Sequence, residues 1–194
     1  LRAPLRAIHQ YTDFLEEDLD DSLGEDQREY LDGLRESVVN AEVMVGDLLD
    51  LSRIGRKVVP SERFNVGHRL EKIIDSLALP ENVVFELAEE WPTIDAEPIV
   101  FRMVFQNLIT NAAKFNESSP RHIEIWWREA DSEHWEFRVC DNGIGIDERF
   151  HEKIFNVFER LHTDEEYEGT GIGLAIVRKG ASYLNGTVRV ESTV

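Results

Sequence analysis

Asn107, Asn111 and Lys114 stand at i, i+4 and i+7 in the segment NLITNAAKF, a spacing that places two carboxamides and an ammonium on one face of a helix. An amide oxygen is a hard, neutral ligand suited to Mg²⁺ shared with phosphates, and a lysine offsets phosphate charge as a compact cation. A solvated helix face accounts for the same three residues as simply. In DNGIGI, Asp141 to Ile146, a carboxylate follows an alternating stretch, so it can accept from an exocyclic amine such as that of adenine. Gly143 and Gly145 let backbone pass close to a ligand. The Asn-Gly pair is equally the mark of a tight turn. In GTGIGLAIV, Gly169 to Val177, a glycine-rich loop runs into an apolar helix, whose free N–H groups and positive end favour phosphate. The Gly-Lys-Ser/Thr ending of a Walker loop is missing, and the spacing and the preceding polar loop exclude a dinucleotide fingerprint.

These segments need elements to carry them. The stretches VGHRLEKIIDSLA, EPIVFRMVFQNLITNAAKF and GIGLAIVRKGASYL read as helices, and VVFEL, HIEIWWRE, HWEFRVC and TVRVEST as strands. The order is neither strict strand-helix alternation nor all strand, which predicts an α/β sandwich with helices on one face of a mixed sheet over residues 61–194. Upstream, Leu1, Leu5, Ile8, Thr12, Leu15 and Leu19 draw one narrow seam, and Leu31, Leu34, Val38, Ala41, Val45 and Leu48 a second, with the turn-like DDSLGED between them. Residues 1–57 therefore read as a helical hairpin. Two helices alone bury little apolar surface, so pairing with a second copy into a four-helix bundle is the economical solution; packing of both seams on the rest of the chain is the alternative. Pro60 marks the boundary between the two units. The predicted class is thus α+β.

The chain has 194 residues, 42% of them hydrophobic, and a formal charge of −18. That charge opposes docking to nucleic acid or an anionic membrane face. No apolar run approaches the roughly 20 residues of a membrane span, and no signal segment is visible. The one cysteine, Cys140, excludes an internal disulfide framework and is expected to be a buried structural thiol, which points weakly to the cytoplasm.

In combination and in this order, the segments resemble the catalytic region of a sensor histidine kinase: a dimerisation and phosphoacceptor hairpin followed by a Bergerat-type ATP-binding domain. NLITNAAKF resembles the N box of that family, DNGIGI the G1 box, FHEKIFNVFERLH the F box and GTGIGLAIV the G2 box, while VGDLLDLSRI resembles the end of the hairpin's second helix. The words FERLHTDEEYEGTGIGLAI are especially similar to phytochrome-linked sensor kinases. The family's first helix carries a box of the form H-[DE]-L-[RK]-x-P-L, and LRAPL matches all but its first two positions. The phosphoacceptor histidine and its acidic neighbour are thus expected two and one positions before Leu1, and His9 does not replace that histidine. One more strand is expected beyond Val194.

The resemblance implies that Asn111 ligates Mg²⁺, that Asn107 and Lys114 border the phosphates of ATP, and that Asp141 holds the adenine amine. Gly143, Gly145 and Ile146 would line the base pocket, and Gly169, Thr170, Gly171, Gly173 and Leu174 would shape the phosphate end. Residues 147–168 would form a mobile lid anchored by Phe155 and Phe158, with Arg160 on the γ-phosphate, a task suited to its two-pronged guanidinium. It also implies a homodimer, a response-regulator receiver domain as phosphoryl acceptor and a sensor domain upstream. Two other readings stay open: a catalytically silent dimerisation and nucleotide-binding module, and an ATPase of the same fold. The ATPases carry a glutamate base four residues before the metal-binding asparagine, where this chain has Asn107. The stretch RKGASYLNGTV departs from the family's usual pattern on its helix, and DEEYE adds negative charge near a polyphosphate site.

Overall fold

The computed structural model describes residues 2–19, 23–56, 60–131, 134–161, 167 and 169–194. The chain divides into two compact units, residues 1–50 and 51–194. The core of the expected interhelical turn, residues 20–22, and residues 57–59 beside the expected boundary lie outside the described residues.

The first unit holds α1 (Arg2–Leu19) and most of α2 (Glu25–Arg53). Arg35 of α2 ties the two helices by reaching Asp13, at 3.1 Å, and Glu16 of α1. The bonded guanidinium holds the Glu16 carboxyl below the usual carboxylate range. Along the two predicted seams, Leu31, Val38 and Thr12 are buried, and the Thr12 hydroxyl donates to the His9 carbonyl at 2.7 Å. Ile8, Leu15, Leu19, Leu34 and Leu48 remain exposed, as do Tyr11, Phe14 and Tyr30. The hairpin alone thus leaves much of its apolar surface uncovered.

The second unit runs β1 (Glu62–Asn65), α3 (Val66–Asp75), β2 (Val83–Leu87), β3 (Thr93–Ala96), α4 (Pro98–Lys114), β4 (Arg121–Glu129), β5 (Trp135–Asp141), two single-turn 3₁₀ helices at Glu148–Phe150 and Lys153–Phe155, and α5 (Gly173–Tyr183). β1 pairs antiparallel with β3, while β4 pairs parallel with β2 and antiparallel with β5, so the larger sheet is mixed. Helix starts follow local chemistry. Asn65 caps α3 by accepting from the His68 N–H at 3.1 Å, and Pro98 opens α4 where no intrahelical donor is needed. Alternation along β4 sends Ile123 and Ile125 into a core completed by Leu70 and Ile73 of α3, Val100, Phe101, Phe105 and Ile109 of α4, and Ile176 and Val177 of α5. Phe101 and Phe105 meet Phe137 of β5 edge-on at centroid distances of 6.4 and 5.8 Å.

The RKGASYL departure has a packing reason. A methyl group at Gly180 of α5 would lie 2.5 Å from Val104 Cγ2 and 3.3 Å from Val100 Cγ1, so the missing side chain lets α5 lie close on α4.

Two expectations are corrected. Residues 187–194 form no strand; side chains hold this segment to β5. Glu136 accepts from Arg128, Arg138 and Arg189, and Arg138 reaches Glu191 at 3.2 Å. The Arg128 and Arg138 guanidinium groups hold the Glu136 carboxyl at about 2, Arg128 contributing most. Cys140 is exposed rather than buried, because the alternation of β5 sends Val139 to the core and Cys140 to the opposite face.

Candidate functional site

The C-terminal half of α4 is the meeting point of the predicted chemical segments. Asn107 donates from its carboxamide to the Met103 carbonyl at 2.8 Å, one turn back, which turns its Oδ1 toward Gly173. A methyl group on Gly173 would lie 2.6 Å from that oxygen. Likewise, a methyl group on Gly169 would lie 2.8 Å from Lys114 Nζ, whose ammonium sits 4.9 Å from the centre of the Phe115 ring. The polar face of α4 therefore lies against the glycine loop that precedes α5. Asn111 lies between Asn107 and Lys114 on that face, half-buried, and its carboxamide has no hydrogen bond to another described residue. That unpartnered carboxamide oxygen is what a Mg²⁺ shared with phosphates requires of a protein donor, so the residue fits the role. Among the described residues no cluster of three histidines, cysteines or carboxylates competes for a metal.

The glycine loop is shaped to present donors. Gly169 and Gly171 have φ of +157° and +67°, the latter a left-handed conformation that a side chain would strain. Thr170 Oγ1 accepts from the Ile172 N–H at 3.3 Å, and Ile172, fully buried, starts α5 without a side-chain cap. The first amides of α5, at Gly173, Leu174 and Ala175, have no intrahelical acceptor and carry the positive end of the helix toward the loop. Leu174 itself packs half-buried on the core.

The DNGIGI turn docks on the end of the same helix. The Ile144 N–H donates to the Phe115 carbonyl at 3.1 Å, and a methyl group on Gly143 would overlap that oxygen. Asp141, at the end of β5, accepts from the Gly143 N–H at 2.9 Å. Gly145 has φ +73° and lies against the Thr193 carbonyl, while the Ile146 N–H donates to Ser192 Oγ at 2.9 Å and the Ile146 carbonyl accepts from His151 Nε2 at 3.0 Å. An asparagine pair, Asn116 buried and Asn142 exposed, joins this turn to the end of α4 through a 2.8 Å hydrogen bond. Neither stands out in the sequence: Asn142 is absorbed in the Asn-Gly turn signal, and nothing local marks Asn116.

The segment expected to form a lid is only partly described; of DEEYE, Asp164, Glu165, Glu166 and Glu168 lie outside the described residues. Phe155 is buried and Arg178 of α5 lies 6.0 Å from its ring centre. Phe158 is 55% exposed, so its backbone rather than its ring does the anchoring: at φ +66° its N–H donates to the Gly171 carbonyl at 2.9 Å. Arg160 donates to the Tyr167 carbonyl at 2.8 Å. Tyr167 in turn packs its ring 5.0 Å from that of Phe115 and donates its hydroxyl to Glu117 at 2.8 Å, which returns the segment to the end of α4.

Two aspartates flanking the turn are shifted in opposite directions. Partial burial raises the Asp141 carboxyl above its ordinary 3.8, against the pull of the Gly143 N–H. The Arg149 guanidinium and backbone N–H lower Asp147 from 3.8 to about 2. The Asp147–Arg149 pair therefore contributes stability above pH 3.8 that is lost as pH falls toward 2. Asp141, by contrast, contributes below 3.8 and loses that contribution as pH rises through its raised value. Carboxyl-carbon NMR titration is expected to give Asp147 a midpoint near 2 and Asp141 one above 3.8. Arg149→Ala, which removes the guanidinium but keeps the backbone N–H, should raise the Asp147 midpoint toward the ordinary range, and an unmoved midpoint would refute the pairing.

Residues 96–194 match the family model described as histidine kinase-, DNA gyrase B- and HSP90-like ATPase, and residues 1–57 match the His Kinase A (phospho-acceptor) domain. The chain is 34% identical over 194 residues to cyanobacterial phytochrome A of Nostoc sp. (strain PCC 7120), covering 99% of this chain and 25% of that protein. It is 33% identical to the methanogenesis regulatory histidine kinase FilI of Methanothrix harundinacea, covering 99% and 22%. It thus spans about a quarter of the length of these relatives. Among solved structures it is similar to full-length ShkA in complex with AMPPNP, with a TM-score of 0.68, 25% identity, and 98% of this chain and 42% of that one covered. The mycobacterial sensor histidine kinase MprB shares the fold at a TM-score of 0.60 and 21% identity, over 68% of this chain and 85% of that one. Among the described residues, no helix is long and apolar enough to cross a membrane.

Proposed function

We propose that this chain, which belongs to the histidine kinase-, DNA gyrase B- and HSP90-like ATPase family and has the make-up of a sensor histidine kinase catalytic region, transfers the γ-phosphoryl group of ATP to a histidine on its first helix. The observation that carries this reading is the convergence on the end of α4 of the Asn107–Lys114 face, the Asp141 turn and the Gly169–Gly173 loop. In this reading Asp141 accepts from the adenine amine, and the loop amides and Lys114 hold the phosphates. Asn111 supplies an oxygen to Mg²⁺. When bound, the Mg²⁺ offsets charge on the transferring phosphoryl group. Arg160 exchanges the Tyr167 carbonyl for phosphate oxygens, a stronger acceptor for a guanidinium.

The acceptor is a histidine rather than water because the position of the ATPases' glutamate base is Asn107, whose carboxamide is already engaged with Met103 and cannot take a proton from water. The exposed apolar seams of α1 and α2 support a homodimer in which the hairpins pair into a four-helix bundle. The histidine then passes its phosphoryl group to an aspartate of a response-regulator receiver domain, under control of a sensor domain upstream.

The test is incubation of the parent chain, reaching at least two residues upstream of Leu1, with γ-labelled ATP and Mg²⁺. An acid-labile, base-stable label on the histidine two positions before Leu1 is expected. ATP binding without any such label, under conditions that activate the parent, would favour the silent module instead.

A further inference from the structure

Asn116 is a polar side chain with no solvent exposure, a costly placement unless its donors and acceptors are met. Its Oδ1 accepts from the Ser118 N–H at 3.0 Å, and its Nδ2 donates to Asn142 Oδ1 at 2.8 Å. Asn142 is engaged through every polar atom it has. Its Oδ1 also accepts from the His122 N–H at 2.8 Å, its Nδ2 donates to the Pro120 carbonyl at 3.2 Å, its carbonyl accepts from Ser118 Oγ at 2.8 Å, and its N–H donates to the His122 carbonyl at 3.3 Å. An Asn-Gly turn needs none of this: small residues and the right dihedrals suffice. What the network fixes is the backbone between Asp141 and Gly143, the residue whose N–H holds the Asp141 carboxylate at 2.9 Å. A network that satisfies the buried Asn116 carboxamide and ties Asn142 through every polar atom specifies one local geometry.

Resting on the nucleotide-site reading above, we propose that Asn116 and Asn142 are positioning residues that aim the Asp141 carboxylate at the exocyclic amine of the base, and so set the preference for adenine over a purine lacking that amine. Neither side chain needs to touch the nucleotide. Because Asn116 follows the end of α4 and Asn142 follows β5, the clasp also fixes the base end of the site relative to Asn111 at the phosphate end.

The test compares binding of ATP and of purine riboside triphosphate, which lacks the amine, to the 194-residue chain and its variants by titration calorimetry. A hydrogen bond to a charged group separates the two ligands by roughly tenfold or more in the unaltered protein, and Asp141→Ala marks the ratio with that bond gone. Asn142→Ala is expected to bring the ratio to the Asp141→Ala value while affinity for purine riboside triphosphate changes less than about threefold. Asn142→Asp, which keeps the oxygen facing Asn116 and His122, should recover part of it. Ser118→Ala, which removes one bond without emptying the network, gives an intermediate ratio and serves if Asn142→Ala does not fold. Equal weakening of both ligands with the ratio intact would reduce the clasp to a structural role and overturn the proposal. Failure of the unaltered chain to bind either ligand would instead overturn the nucleotide-site reading itself.

Discussion

Asn111→Ala is expected to lower Mg²⁺-dependent ATP affinity by about 100-fold while leaving the fold intact. The magnitude follows from the chemistry: losing groups that merely support a metal ligand costs roughly 10–100-fold, and losing the protein's own oxygen ligand costs at least as much. The preserved fold follows from the structure, because the Asn111 carboxamide bonds to no other described residue and its removal orphans nothing. Asn107→Ala makes the useful contrast. It breaks a 2.8 Å bond to Met103 within α4 and opens space beside Gly173, so part of its effect belongs to stability. Calorimetric titration with ATP, with and without Mg²⁺, separates the two. The Asn111 variant should differ from the parent only when the metal is present, and equal affinity in Mg²⁺ would remove Asn111 from the metal site.

How much of this was legible in the sequence depended on how local each signal was. The shared face of Asn107, Asn111 and Lys114 is a consequence of helical spacing, and the glycine pattern at 169–173 states a backbone requirement in the residues themselves. Strands β2, β4 and β5 follow from alternation, each read from a handful of neighbouring residues, and the mixed sheet follows from the order of the elements. The features that escaped are those decided by partners far along the chain. Asn116 and Asn142 lie 26 residues apart, and each alone is an ordinary loop asparagine. The Thr187–Val194 stretch alternates like a strand, yet its bonds to β5 run through Arg138, Arg189, Glu136 and Glu191 side chains. Cys140 sits in an apolar-looking run, but its orientation depends on which strand residues meet α4, and Phe137 and Val139 took that side. Phe158 illustrates the same limit: the resemblance pairs it with Phe155 as a lid anchor, whereas its backbone is left-handed and its ring is exposed.

Gly143→Ala should be among the most damaging single-methyl changes in the chain, for a reason unconnected with glycine's backbone freedom. Gly143 is not among the glycines with positive φ, so alanine can adopt its conformation. The obstacle is what the new methyl would meet: the Phe115 carbonyl oxygen, which it would overlap, and Asp141 Oδ1 at 2.7 Å. Neither can step aside cheaply. The Phe115 carbonyl is backbone at the end of α4 and accepts from the Ile144 N–H, and Asp141 Oδ1 accepts from the Gly143 N–H itself. Overpacking of this kind costs about 1–3 kcal/mol, and relief by moving the turn off α4 would carry Asp141 away from the base. ATP affinity is therefore expected to fall well beyond tenfold, together with a lowered unfolding midpoint. Gly33→Ala in α2 sets the scale for the same chemical change without an obstacle: nothing lies within 4 Å of its new methyl, and alanine favours a helix interior by about 0.5–1 kcal/mol. Denaturant unfolding of the two variants should move in opposite directions, and only the Gly143 variant should lose nucleotide binding. A Gly143→Ala protein that bound ATP like the parent would mean that the turn can leave the end of α4 without disturbing Asp141, and the close docking of the two would lose its functional meaning.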